Sequence, residues 1–98
     1  MNITKKMNGT ALEIAAEGRL DTMTAPELEA SLKESLDSAD TLTLDFGNLD
    51  YISSAGLRVL LAAHKVMSAK GGLKVKGANE VVREVFEVTG FSDILNIE

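Results

Sequence analysis

The sequence contains no cysteine and no tryptophan, and it has a single histidine and a single proline. The absence of cysteine excludes disulfide bonds, thiolate metal ligands and cysteine nucleophiles. A single histidine also gives little material for a clustered metal site. We therefore expect neither a metal ion nor another cofactor.

Positive charge and long apolar runs are also scarce. Ten Lys and Arg residues stand against fifteen Asp and Glu residues, which gives a net charge of −5. Nucleic acid binding depends on Lys and Arg that neutralise phosphates, so this balance disfavours nucleic acid and anionic membrane surfaces as partners. No apolar run approaches the roughly 20 residues of a membrane span, and residues 1–6 lack the apolar core of a signal peptide. We expect a cytoplasmic protein whose partner is another protein or a small ligand.

The composition is that of an ordinary globular domain. Apolar residues make up 45% and charged residues 26% of the 98 positions, which is typical of a chain that folds around one core. The sequence shows no linker, internal repeat or low-complexity segment. We expect residues 1–98 to form a single domain.

Alternation of apolar and polar residues predicts four strands, and apolar spacing near 3.6 residues predicts three helices. The predicted strands cover residues 2–7, 10–18, 41–46 and 73–77, with a hairpin turn between the first two. The first helix is predicted to start at Thr24, in a capping box with Glu27, and to end near residue 37. The second is predicted from about residue 55 to residue 70, and the third from an N-cap at Asn79 to a C-cap at Gly90. The tail after Gly90 is expected to fold back on the core.

The same alternation predicts how the sheet is covered. A parallel sheet buried on both faces would show nearly continuous apolar strands, so the helices are expected mainly on one face. Right-handed crossovers keep successive helices on one face only when the strand order advances in one direction. We predict an α/β fold with a four-stranded mixed sheet in the order 1-2-3-4, the first strand being antiparallel. A doubly wound sheet with a ligand crevice is disfavoured.

Residues 45–61, DFGNLDYISSAGLRVLL, are typical of a strand end, a polar loop, two serines and the start of an apolar helix. Ser53 and Ser54 stand where an N-cap belongs, so one interpretation is a structural cap. A second is a serine nucleophile, which needs an adjacent base. The only histidine, His64, lies about 15 Å along the helix, so we do not expect an enzyme. A third is phosphorylation, because a helix N-terminus tolerates a group of about −1.5 to −2 charges.

This stretch resembles the signature of STAS domains, the bacterial anti-sigma factor antagonists. The resemblance extends to Gly18–Asp21 ahead of the proline-led helix and to Gly90-Phe91 near the end, so it covers nearly the whole chain. It implies the order of elements predicted above. It also implies that Ser54, which is followed by Ala-Gly, is the phosphoacceptor, with Ser53 standing where that family commonly has Asp.

The resemblance further implies partner switching. The unmodified protein would bind an anti-sigma factor that is also a serine kinase, and so release a sigma factor. That kinase would phosphorylate Ser54, and a metal-dependent serine phosphatase would restore the bare form. The residues implied in partner binding are Asp21, Thr22, Asp50, Ser53, Ser54, Gly56 and Arg58.

Two other functions stay open. A non-phosphorylated STAS adaptor, such as a subunit of a lipid-transport ATPase, would dock permanently through the same surface. A small-ligand domain is the other, but the sequence has no glycine-rich phosphate cradle to support it.

Overall fold

The computed structural model describes residues 1–98, which form six strands and three α-helices. The strands are β1 (Asn2–Asn8), β2 (Ala11–Leu20), β3 (Thr41–Asp45), β4 (Leu49–Ile52), β5 (Leu73–Lys76) and β6 (Asn96–Ile97). The helices are α1 (Ala25–Ser35), α2 (Ser54–Met67) and α3 (Glu80–Val88). Short 3-10 turns follow α1 at Leu36–Ser38 and α3 at Phe91–Asp93.

The sheet runs in the order β1-β2-β3-β5-β6, and β4 pairs with β2 off this path. Strand β1 is antiparallel to β2, and all other pairs are parallel. The predicted order of the four long strands, with the first antiparallel, is therefore confirmed. The predicted count of four is wrong, because the structure adds β4 and β6.

The two added strands are short and have little pattern of their own. Strand β4 buries Leu49 and Ile52, which are three residues apart and so do not alternate. It pairs only with the last residues of β2, from Gly18 to Leu20. Strand β6 has two residues, aligned with Lys74 and Val75 of β5. Both depend on a neighbouring strand rather than on their own sequence.

One apolar cluster of 25 buried residues forms the core between the sheet and the helices. Strand β2 contributes Leu12, Ile14 and Ala16 to this core, while the residues between them are only partly buried. On the other face the Lys76 ammonium lies 2.8 Å from the Glu13 carboxylate. This hydrogen bond and the charge of Glu13 raise the pKa of Lys76 above its usual value. The alternation thus agrees with helices on one face and a polar sheet surface on the other.

The helix termini match the prediction at α3 and differ at α1. Asn79 caps α3, because its side-chain oxygen accepts from the Val82 N–H at 2.8 Å. Gly90 ends that segment with a φ of 81°, the left-handed conformation that favours glycine. At α1 the predicted capping box is wrong, because the Thr24 side chain makes no cap hydrogen bond. The Thr24 hydroxyl instead forms hydrogen bonds within the turn before the helix.

Helix α2 packs with a slightly different face than its helical spacing predicts. That spacing places Leu57, Leu60, Leu61 and His64 on one arc toward the sheet, but Leu61 and His64 are only half-buried. The helix buries Leu57, Leu60, Ala63 and Met67 along one stripe, together with Val59. Val59 lies in a groove with Leu32 and Leu36, so its side of α2 faces α1 and its end. A neighbouring helix therefore covers part of the apolar surface of α2 outside that stripe.

Candidate functional site

The two serines of the central motif occupy different positions at the start of α2. Ser53 is the N-cap residue, with an extended backbone at φ −100° and ψ 176°. Ser54 is the first residue of the helix, and it is exposed. The Ser53 N–H donates to the Leu20 carbonyl at 2.8 Å, so the end of β2 positions the helix start. The chain therefore holds Ser54 at a fixed place on the surface.

Neither serine hydroxyl caps the helix, so the predicted structural cap is wrong. The Ser53 hydroxyl oxygen is buried and has no hydrogen-bond partner. The first N–H groups of an α-helix have no intrahelical acceptor, and no loop carbonyl accepts from those of Ser54, Ala55 or Gly56. The N-terminus of α2 is thus free of the capping bonds that its sequence suggested, and its partial positive charge is not offset by a side chain.

Gly56 allows the first turn of α2 to lie directly on the strands. A Cβ at this position would stand 2.7 Å from Leu20 Cγ and 2.9 Å from Ile52 Cγ1. Both of those side chains are buried in the core. The glycine therefore has a packing role, and it is itself buried.

The residues before α1 form a tightly bonded turn. The Asp21 carboxylate accepts from the N–H groups of Met23 at 3.0 Å and Thr24 at 3.1 Å. The Thr24 hydroxyl donates to the Arg19 carbonyl at 2.7 Å and accepts from the Asp21 N–H at 2.9 Å. Desolvation acts to raise the pKa of Asp21, but the hydrogen bonds from Thr24 and Met23 outweigh it and hold the pKa below its usual value.

An arginine joins this turn to β4, which sequence reasoning did not find. The Arg19 guanidinium carbon lies 4.6 Å from the centre of the Tyr51 ring, within range of a cation–π contact. The Arg19 Nε also lies 3.9 Å from the Asp21 carboxylate. Tyr51 is two residues before Ser53, so the contact links the turn to the strand that leads into the serines. Arg19 and Tyr51 lie 32 residues apart in the sequence, so no local pattern indicated that they are in contact.

A shallow groove of ≈ 360 Å³ separates the starts of α1 and α2. It brings together Thr22 and Arg58, two of the predicted binding residues. The residues that line it are Thr22, Ala25, Pro26, Glu29, Ala55, Arg58 and Val59. Ser54 precedes the lining residue Ala55, whereas Asp50 is exposed on β4 and is not part of the lining. The motif and the turn before α1 therefore share one surface.

His64 lies away from the serines, as its position in the chain predicts. It lines a separate cavity of ≈ 390 Å³ at the other end of α2, with Ser68 and Lys74 among its neighbours. The structure contains no group of His, Asp and Glu side chains arranged to hold a metal ion. None of the three helices combines the length and the apolar character of a membrane-spanning segment.

Sequence comparison decides the family. A model of the STAS domain family, described as "Mlab, STAS domain", matches residues 3–96. The chain belongs to the STAS domain family. This STAS domain is 38% identical over 99 residues to BtrV of Bordetella bronchiseptica, a protein named as an anti-sigma factor antagonist, covering 99% of this chain and 85% of BtrV. It is also 28% identical over 98 residues to the anti-sigma-B factor antagonist of Bacillus subtilis, covering 99% and 90%.

Solved structures share the fold of this STAS domain. The unphosphorylated form of the anti-sigma factor antagonist SpoIIAA matches with a TM-score of 0.85 at 19% identity, covering 99% of this chain and 88% of that chain. The phosphorylated form of SpoIIAA from Bacillus matches with a TM-score of 0.77 at 18% identity, covering 99% and 91%. The predicted family is confirmed, and the predicted function agrees with the names of these relatives.

Proposed function

We propose that this STAS domain is an anti-sigma factor antagonist that phosphorylation of Ser54 switches off. The bare form binds an anti-sigma factor with serine kinase activity and so releases a sigma factor. The observation that carries this proposal is the place of Ser54, exposed at the first position of α2 beside the groove lined by Thr22 and Arg58. The two antagonists to which the chain is similar over nearly its whole length support it.

In this proposal the domain is a substrate and binding partner rather than an enzyme. The Ser54 hydroxyl oxygen attacks the γ-phosphorus of ATP held by the kinase, the bond to ADP breaks, and the hydroxyl proton passes to a base of the kinase. The kinase supplies that base, because Ser53 offers no carboxylate and His64 lies at the other end of α2. A metal-dependent serine phosphatase in the same compartment, the cytoplasm, restores the hydroxyl by hydrolysis.

The proposed docking surface divides into residues that contact the partner and residues that position them. Thr22, Asp50, Ser54 and Arg58 are exposed and available for contact. Asp21 holds the turn that presents Thr22, through its hydrogen bonds to Met23 and Thr24. Gly56 and Ser53 position the start of α2 rather than contact the partner, since Gly56 is buried and the Ser53 hydroxyl oxygen is buried.

Phosphorylation weakens this interface by electrostatics. A phosphate adds about −1.5 to −2 charges in the middle of the docked surface. Desolvating that charge is unfavourable, and an acidic group of the partner that approaches it meets like charge. The effect falls on the complex, because an exposed phosphate at a helix N-terminus is compatible with the fold itself.

Mass spectrometry tests the assignment of the phosphoacceptor. The protein is incubated with ATP and the kinase-type anti-sigma factor of its own cell, and its intact mass is measured. We expect one added phosphate on the wild type and on Ser53→Ala, and none on Ser54→Ala. A phosphate that remains on Ser54→Ala contradicts the assignment, and the absence of any phosphate on the wild type favours a permanently docked adaptor.

A further inference from the structure

Arg58 is the one arginine of this chain that makes no hydrogen bond or salt bridge within it. Arg19 contacts Tyr51 and Asp21, and Arg83 donates to the carbonyls of Ala78 and Glu98 at 3.1 Å each. The Arg58 side chain is exposed and lines the groove between α1 and α2. A free guanidinium on this surface is available for an anion.

The helix brings Arg58 to the same face as Ser54. The two residues are four apart within α2, a spacing at which side chains on a helix are neighbours, with Cβ atoms about 5–6 Å apart. The order also matters, because an acidic group placed N-terminal to a basic one at this spacing is the more favourable arrangement. A phosphate on Ser54 would supply the acidic group.

The acidic side chain that shares the groove with Arg58 is already paired. Glu29 of α1 lines the same groove, but its carboxylate lies 3.6 Å from the Lys33 ammonium. Asp21, in the turn at the edge of the groove, accepts from two backbone N–H groups and lies 3.9 Å from Arg19. Neither carboxylate forms a salt bridge with Arg58, so its guanidinium is available to a phosphate on Ser54.

We infer that Arg58 is the internal counter-ion of phosphorylated Ser54. The inference rests on the proposed phosphorylation of Ser54 and adds which side chain of the domain binds the phosphate. The planar guanidinium donates two parallel hydrogen bonds to phosphate oxygens, while the free N–H groups at the start of α2 face the same group.

This ion pair gives the switch a second effect on the partner. In the bare form Arg58 presents one positive charge to an acidic group of the kinase. In the phosphorylated form the same guanidinium is bonded to the phosphate of its own chain. Arg58 and phosphorylated Ser54 together carry a net charge of about −1, the sum of +1 and about −2. Phosphorylation therefore adds a negative charge and also withdraws a cation from the docking surface.

Phosphorus NMR tests the ion pair without any kinase. Phosphoserine is incorporated at position 54 during translation, in the wild type and in the variants Arg58→Gln, Arg58→Lys and Lys65→Gln. Lys65 is an exposed cation farther along α2, so Lys65→Gln is the matched control for loss of one charge. The ³¹P chemical shift is followed from pH 4.5 to 8 to give the midpoint of the second phosphate ionisation.

The expected result is a midpoint about half a pH unit higher in Arg58→Gln than in the wild type, because a neighbouring cation favours the dianion. Arg58→Lys should fall between these two, and Lys65→Gln should match the wild type. Equal midpoints in wild type and Arg58→Gln overturn the inference, as does an equal shift in Lys65→Gln. The outcome is independent of the proposed function, whose failure appears instead as an absence of Ser54 phosphorylation by the kinase.

Discussion

Gly56 and Leu20 are packed so closely that a Cβ at position 56 would lie 2.7 Å from the Leu20 Cγ. This contact places the first turn of α2 directly on the end of β2. A hydrogen bond from the Ser53 N–H to the Leu20 carbonyl at 2.8 Å holds the same junction. The exposed position of Ser54 follows from these two contacts.

Gly56→Ala is expected to lower the free energy of unfolding. Alanine gains about 1 kcal/mol of helix propensity over glycine, but overpacking against Leu20 and Ile52 costs about 1–3 kcal/mol. The difference between these two contributions is a net loss of up to about 2 kcal/mol, measured by urea denaturation. Leu20 and Ile52 are both buried, so an increased stability of Gly56→Ala would contradict this close packing.

Ser53→Ala and Asn79→Ala should separate two residues that look alike as N-caps. Asn79 accepts from the Val82 N–H and donates to the Leu49 carbonyl at 3.0 Å, so its loss should cost about 1–2 kcal/mol. Ser53→Ala should change the stability by less than about 0.5 kcal/mol or raise it, because its buried hydroxyl has no partner to lose. Thermal or urea unfolding of both variants measures this. Equal losses would show that Ser53 does cap α2.

Asp21 should make the turn before α1 sensitive to acid. Its pKa is lowered in the folded protein, so its contribution to stability is present above the unfolded value near 3.9 and is lost as the pH falls through the lower folded value. We expect wild type to lose its stability advantage over Asp21→Asn below about pH 4. Urea midpoints of both proteins from pH 7 to pH 2.5 measure the difference, and a constant difference over this range would contradict the assignment.

Ser54→Asp and Ser54→Ala should affect partner binding in opposite ways while the fold stays intact. Aspartate places a carboxylate at the docked surface and should abolish binding to the kinase, whereas alanine should bind constitutively because it cannot be phosphorylated. Ser92→Asp is the matched control, since Ser92 is exposed in the turn after α3 and does not line the groove. Calorimetric titration with the kinase measures all three. Equal affinity of Ser54→Asp and wild type would exclude this mechanism.

The sequence predicted the parts of the fold that repeat over several residues. Alternation in β2 and β3, together with apolar spacing in the helices, was sufficient to predict the order of the long strands. It was also sufficient to predict that the helices cover one face of the sheet. Strand β6 has only two residues and β4 has no alternation, so pairing with β5 and β2 creates them. Patterns within a segment cannot show such pairing.

Capping and site contacts were predicted less well, because tertiary contacts override residue preferences. Asn79 caps as its residue type suggests, but Thr24 bonds to the Arg19 carbonyl and the Ser53 hydroxyl oxygen is buried without a partner. The contact between Arg19 and Tyr51 exists only because β2 and β4 pair. The resemblance of the motif predicted Ser54 as the phosphoacceptor. The groove beside Ser54 could not be predicted, because it forms only where α1 packs against α2.

The affinity of the kinase-type anti-sigma factor for two forms of the protein decides whether phosphorylation of Ser54 releases the partner. One form has the bare Ser54 hydroxyl, and the other carries phosphoserine at position 54. Both forms are made by translation, so the comparison does not depend on the completeness of an enzymatic reaction, and calorimetric titration gives each dissociation constant. A phosphate at the docked surface should cost about 3 kcal/mol or more, which weakens the complex by about 150-fold or more. Equal dissociation constants for the two forms would show that phosphorylation of Ser54 does not switch off binding.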